Sequence, residues 1–252
     1  MPLPTSPVVN TAGTMRPDLI RAVIYGKPGA GKTTFASGWF PQSNLLLEVD
    51  ADASRFIPGS HFVQPIKSYA DFSRTVDELC AGGHQFQTVT IDTGDRLFRM
   101  ADNEAGQRYG QAAAQLAEYG KGGELRDATF LRDIDRLFSA GLGCLLLAHP
   151  DTTTTLVGKT EVVSVEPRIV RRKKDDIRQE VIGLFDYELF IRKEDHKLVT
   201  GGDPLVSTKR RVPLPDVMDS DPGQFYLALK AGIEQVAAGT NNTPTPKETQ
   251  TA

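Results

Sequence analysis

The chain predicts an α/β fold, a mostly parallel central sheet with helices on its faces. Three observations carry that expectation. Gly26-Lys27-Pro28-Gly29-Ala30-Gly31-Lys32-Thr33 matches in full the G-x-x-x-x-G-K-[ST] pattern of a phosphate-binding P-loop, a motif that joins a strand to a helix. The runs 44–50, 86–91 and 144–148 are rich enough in apolar and β-branched residues to read as buried core strands. Segments of helical periodicity lie between these runs, which is the alternation of a sheet with crossover helices.

Each element has its own justification. Residues 19–25 (LIRAVIY) supply the strand before the loop, and 34–40 (TFASGWF) open the helix after it. The run 44–50 (NLLLEVD) is long enough for a second buried strand. Residues 69–81 place Tyr69, Phe72, Val76, Leu79 and Cys80 at helical spacing, and Gly82-Gly83 ends that helix. The strand 86–91 (FQTVTI) closes on Asp92. The segment 96–123 mixes helical and glycine signals, and its part 109–123 (YGQAAAQLAEYGKGG) reads as mobile or ligand-responsive. A better helix, 129–139, has Phe130, Ile134, Leu137 and Phe138 on one side and Gly141 as its cap. The strand 144–148 (CLLLA) ends at His149. Residues 156–170 alternate like a hairpin, and 186–192 with 197–200 form a second one around the polar turn 193–196. A last helix, 224–238, turns Phe225, Leu229, Ile233 and Val236 inward. The Pro-, Thr- and Ser-rich start, 1–17, reads as flexible and the polar tail, 239–252, as disordered, which leaves one domain over 18–238.

Composition narrows the class. A chain of 252 residues can bury one full core, and 39% hydrophobic with 24% charged residues is ordinary for a globular protein. A net charge of −3 excludes a global basic field, so a nucleic-acid partner has to meet a local patch. Cys80 and Cys144 read as buried thiols in a reducing compartment, and the four histidines show no metal-ligand spacing. No apolar run approaches the ~20 residues of a membrane span, and the N-terminus lacks the pattern of a signal peptide. The expected location is the cytoplasm, with no membrane partner.

The P-loop carries the chemistry. Its glycines allow a turn with inward-pointing N–H groups, so Gly26, Pro28, Gly29, Ala30, Gly31, Lys32, Thr33 and Thr34 are expected to cradle the phosphates of a nucleoside triphosphate. Lys32 would reach the β- and γ-phosphates, and the Thr33 hydroxyl would coordinate Mg2+. Asp92, at the tip of an apolar strand, has the form of a Walker B aspartate that orients the metal. Glu48, Asp50 and Asp52 end the second strand and share a face; Asp50 and Asp52 are the candidates to align an attacking water, against the reading of a solvated acidic turn. His149, followed at once by Pro150, is placed to sense a γ-phosphate. The run 168–174 (RIVRRKK) offers Arg168, Arg171, Arg172, Lys173 and Lys174 to a phosphate backbone. Lys209, Arg210 and Arg211 form a second cationic cluster, from which one side chain could act as a finger on a neighbouring subunit's nucleotide. No N-K-x-D motif reads guanine, so the expected nucleotide is ATP.

The blocks GKPGAGKTTFA, LLLEVDADASRF, TVTIDTGDRL, YGKGG, CLLLAHP and GLFDYELFIR together resemble the phage nucleotide-binding ATPases of RecA-like type, a group that includes proteins proposed to act in DNA recombination by single-strand annealing. The similarity runs from Ile20 to Arg211. It implies a RecA-like P-loop NTPase core with an extra strand between the P-loop strand and the Walker B strand, C-terminal hairpin additions, and His149 opposite the γ-phosphate. It also implies a DNA-facing region over 151–174, a late arginine matching Arg211, self-association on single-stranded DNA, a single-strand-binding protein as a partner, and a host cytoplasm if the chain is phage-encoded. Where the family often carries Glu in its acidic block, this chain has Asp50 and Asp52. The rival readings are a P-loop kinase of a nucleotide or polynucleotide, with 168–174 as a lid, and a nucleotide-dependent switch with little turnover.

Overall fold

The computed structural model describes residues 16–49, 53–108, 121–157, 160–169 and 177–238. A 3-10 turn, Pro17–Leu19, leads into β1 (Arg21–Tyr25) and, through the P-loop, α1 (Lys32–Gly38). Then come β2 (Asn44–Glu48), β3 (Phe62–Pro65), α2 (Tyr69–Ala81), β4 (Thr88–Asp92), α3 (Gly94–Arg108), α4 (Lys121–Ser139) and β5 (Gly143–Ala148). The pair β6 (Pro150–Val157) and β7 (Thr160–Pro167) precedes α5 (Ile177–Leu184), β8 (Tyr187–Ile191), β9 (Lys197–Val199), β10 (Val217–Asp219) and α6 (Pro222–Ala237).

Eight strands form one sheet in the order β10-β9-β8-β1-β5-β4-β2-β3, and β6 with β7 forms a separate hairpin. From β8 to β3 every pairing is parallel, while β9 and β10 add to the β8 edge antiparallel. This is the mixed α/β core of a P-loop NTPase. β5 stands between β1 and β4, with Tyr25 in register with Ala148 and Asp92 with Leu147. Parallel strands put all their C-terminal tips on one rim, so the P-loop, Glu48, Asp92, His149 and the β8–β9 turn share an edge.

Alternation along the strands divides the core in two. Val23, Tyr25, Val89, Ile91, Cys144 and Leu146 face α2, α3, α4 and α5. Ala22, Ile24, Leu145, Leu147, Leu189 and Ile191 face α1 and α6, where Trp39 and Phe225 meet at 5.7 Å between ring centroids. Helices form where their buried faces demand it: Phe72, Val76 and Leu79 of α2, and Phe130, Ile134 and Leu137 of α4, are all sealed from solvent. Ser68 caps α2 by accepting the Asp71 N–H, and Asp221 caps α6 by accepting that of Gln224.

Several expectations need correction. The hairpin starts at Pro150, not at residue 156: the threonines 152–155 pair with residues 162–165, so the span 156–170 holds only the end of β6, the turn and β7. α3 runs unbroken to Arg108, and α4 starts at Lys121, well ahead of the expected residue 129. β3, α5 and β10 had no counterpart in the sequence reading. Cys80 is half-buried, while Cys144 is sealed in the core, where burial pushes its thiol up to about 12; both are free thiols. The start expected to be flexible, to residue 15, the stretch 109–120 and the tail expected to be disordered, 239–252, lie outside the described residues. No helix among the described residues is long and apolar enough to cross a membrane.

One buried charge makes a stability prediction. Glu188 of β8 is 3% exposed, and burial raises its pKa above the ordinary carboxylate value, opposed by a hydrogen bond with Ser207 and by Arg178 and Lys209. The folded chain therefore keeps this proton to a higher pH than the unfolded chain, so stability from this group is full at low pH and lost as pH rises through the window. Glu188→Gln is expected to remove that slope. Thermal unfolding of the two proteins between pH 4 and 8 should show the variant gaining on the parent as pH rises; parallel profiles would refute it.

Candidate functional site

The P-loop leaves β1 at Tyr25, and its first residue is held by the Gly26 N–H donating to the Ala148 carbonyl at 3.4 Å. Gly26 has no room for a side chain, since a Cβ there would stand 2.4 Å from the Ile191 carbonyl oxygen. Gly29 and Gly31 take φ of +78° and +97°, the left-handed turn that lines up the amides of an anion nest. Lys32 is 7% exposed and lies back along the loop, its Nζ donating to the carbonyls of Gly26 at 2.8 Å and Lys27 at 3.3 Å. The ammonium is thus pre-aimed across the loop mouth.

Asp92 is 3% exposed at the tip of β4, and its Oδ2 accepts the Thr33 hydroxyl at 2.7 Å. The face of β4 toward α1 is polar for that reason. Thr90 donates to Asn44 Oδ1 at 3.0 Å and Asn44 donates to the Ala36 carbonyl at 2.7 Å, which pins α1 over the strand. A hydroxyl and a carboxylate in contact at the loop mouth are the hard oxygen donors that Mg2+ prefers, so the residues fit that ion. Among the described residues no cluster of three or more His, Cys, Asp or Glu offers a site of the all-protein kind.

Glu48 is in register with Asp92 on the next strand, and its Oε1 accepts the Ser54 N–H at 2.7 Å. Asp50 and Asp52 lie outside the described residues. His149 follows β5, and its Nδ1 lies 3.2 and 3.3 Å from the two oxygens of Asp95. A carboxylate only accepts, so Nδ1 carries the hydrogen and Nε2 is left for another partner. Asp95 itself is held 3.7 Å from Arg99. The sequence reading missed Asp95 as the residue that orients His149; its place three residues after Asp92, in the first turn of α3, was the available signal.

The loop floors a cleft of about 800 Å³, within the range of small-molecule sites. Phe56 and Ile57 form one side, Asp195 and His196 of the β8–β9 turn another, and residues 219–222 before α6 a third. Thr33 and Thr34 both line it. Phe56 is 87% exposed, an aromatic ring left in solvent at the cleft wall.

The cationic cluster divides by location. Lys209 Nζ donates to the Ile182 and Phe185 carbonyls at the end of α5, and Arg210 donates to the Leu214 carbonyl and Asp216. Both are occupied in shaping the fold. Arg211 pairs with Asp186 at 3.4 Å, and the Asp186 N–H donates to the Arg21 carbonyl where β1 begins. Arg211 therefore sits at the opposite end of β1 from the P-loop, about 15 Å of strand away. The fold does not bring it to its own chain's cleft, which corrects any reading of Arg211 as a catalytic residue within one chain.

The β6–β7 hairpin springs directly from His149, and the His149 carbonyl accepts the Arg168 N–H at 2.7 Å to close its base. Tyr25, the last residue of β1, donates to the Ser207 carbonyl and stands 3.1 Å from that of Val165 in β7. Glu166 of β7 is ion-paired to Arg178 of α5. Arg168 is exposed, whereas Arg171, Arg172, Lys173 and Lys174 lie outside the described residues.

Comparison with known proteins agrees with this geometry. The family described as AAA domain matches residues 19–215, from the start of β1 to beyond Arg211. No curated protein matches the chain.

Proposed function

Because the chain belongs to the AAA domain family of P-loop ATPases, we propose that it binds ATP with Mg2+ and hydrolyses it in step with binding single-stranded DNA. The observation that carries the reading is the convergence of Lys32, the Thr33–Asp92 pair and the His149–Asp95 pair on one rim of a parallel sheet. Lys32 and the loop amides would hold the phosphates, and Thr33 with Asp92 would hold Mg2+, which when bound would supply neutralisation of the phosphate charge. Phe56 offers a stacking face to the base. Glu48, or Asp50 or Asp52 just beyond it, aligns the water.

Support for the nucleic-acid half comes from connectivity. A hairpin that begins one residue after His149, and closes on the His149 carbonyl, moves with whatever moves His149. The described strands of the hairpin bring Asp151, Glu161 and Glu166, so the cations for a phosphate backbone come from the run 168–174. The insertion of β5 between β1 and β4 is the topology that the RecA-like resemblance implies. Arg211, remote from its own cleft, would serve the nucleotide of a neighbouring copy, which makes self-association on DNA part of the proposal.

The expected result is ATP hydrolysis stimulated several-fold by single-stranded DNA, with stimulation falling steeply between low and moderate salt. Hydrolysis indifferent to DNA, or phosphate transferred to an acceptor instead of water, would overturn the DNA-coupled reading in favour of a switch or a kinase.

A further inference from the structure

The β8–β9 turn, residues 192–196, follows the P-loop along its length. The Ile191 carbonyl abuts Gly26, Glu194 pairs with Lys27 at 3.7 Å, and His196 Nδ1 lies 3.1 Å from the Ala30 carbonyl. Between these points, Lys193 Cε and Nζ both come within 3.7 Å of where a Cβ on Gly29 would stand. Four contacts thus reach four positions of the loop, Gly26, Lys27, Gly29 and Ala30. A turn that only closed a hairpin would need none of them. His196 adopts φ +54°, a disfavoured conformation for a side-chain-bearing residue, with its ring nitrogen on the Ala30 carbonyl.

Lys193 differs from its neighbours in the turn. Arg192 is bonded to Asp195, Glu194 is paired with Lys27, and Lys197 is bonded to Asp219. Lys193 is exposed and makes no hydrogen bond or ion pair among the described residues, although Glu194 and Asp195 follow it directly. Its ammonium lies beside Gly29 of the loop whose amides collect on the phosphate site.

We propose that Lys193 is a second phosphate-binding lysine, acting within one chain, and that the β8–β9 turn is the lid that carries it. The proposal rests on the reading of the cleft as a nucleoside triphosphate site. A lysine ammonium is a compact point charge on a flexible stem, suited to reaching a polyphosphate from the rim while Lys32 holds it from below. The contacts of Glu194 and His196 keep the turn on the loop without Lys193, so removing the charge leaves the lid in place.

The test is equilibrium binding of ATP, ADP and adenosine to the full chain and to Lys193→Gln and Lys193→Arg. Lys193→Gln is expected to weaken ATP about tenfold and ADP less, to leave adenosine unchanged, to flatten the salt dependence of ATP binding and to leave the melting temperature in place. Lys193→Arg should restore most of the ATP affinity. ATP binding unchanged in Lys193→Gln, with the parent binding ATP, would overturn the lid alone. Equal weakening of ATP and adenosine would also overturn it, because a charge contact cannot act on an uncharged ligand. A parent protein that fails to bind ATP would overturn the reading of the cleft, and the lid with it.

Discussion

Lys32→Ala is expected to lower ATP hydrolysis by roughly 10²–10³-fold, with or without DNA, as removing a preorganised cation from a transition state does elsewhere. The lysine stands almost wholly out of solvent with its Nζ 2.8 Å from the Gly26 carbonyl, so its charge acts across a short path with little water to screen it. Alanine leaves the buried Gly26 carbonyl without that donor at a cost of about 1–3 kcal/mol, and the exposed Lys27 carbonyl at less, a loss that fits within a typical total stability of about 5–15 kcal/mol. The variant should therefore fold. Steady-state hydrolysis with a thermal melt on the same sample separates the two effects. A variant that keeps more than a tenth of the parent rate would place the chemistry elsewhere than the P-loop.

Phe130→Ala should rank with the most damaging single truncations for the fold, costing about 3–5 kcal/mol. Phe130 is fully buried on α4, and its ring meets that of Phe98 on α3 at 5.3 Å and 66°, an edge contact that adds to the area it buries. The two rings belong to one buried cluster with Val89, Ile91 and Leu146 of the sheet, so Phe130 ties α3 and α4 into the same core. Set against a typical total of about 5–15 kcal/mol, the loss removes a large share of stability. Urea unfolding followed by circular dichroism measures it, with Leu227→Ala on the exposed face of α6 as a control expected within about 0.5 kcal/mol of the parent. A loss under about 1 kcal/mol for Phe130→Ala would mean that α4 does not pack as described.

What was legible in the chain follows from how local each signal is. The P-loop, its strand and its helix were readable because the nest needs particular glycines at fixed offsets. β4, β5 and the α2 and α4 faces were readable because burial leaves apolar runs or a helical stripe. β3 was not: Phe62–Pro65 is mostly exposed and shows no alternation, and it is a strand because the free edge of β2 accepts a parallel partner there. The first strand of the hairpin was hidden for a related reason, since four threonines in a row carry β propensity but no hydrophobic period.

The site divides along the same line. Lys32, Thr33 and Asp92 were identified from pattern alone, and they come together as that pattern requires. Asp95 beside His149, Lys193 and His196 along the loop, and the exposed ring of Phe56 were invisible, since each matters only through a partner 54 to 166 positions away or through a cleft wall. Lys209, Arg210 and Arg211 are indistinguishable as a string of three cations; only their neighbours show that two are spent on carbonyls and that the third faces away from its own P-loop. Short-range chemistry is written in short-range order, so the chain alone determined the phosphate cradle and the alternation that builds the sheet. Strand order is set by which buried faces pair most favourably across the whole core, and that choice alone decided that β5 enters between β1 and β4, bringing His149 to the rim and the β8–β9 turn onto the loop.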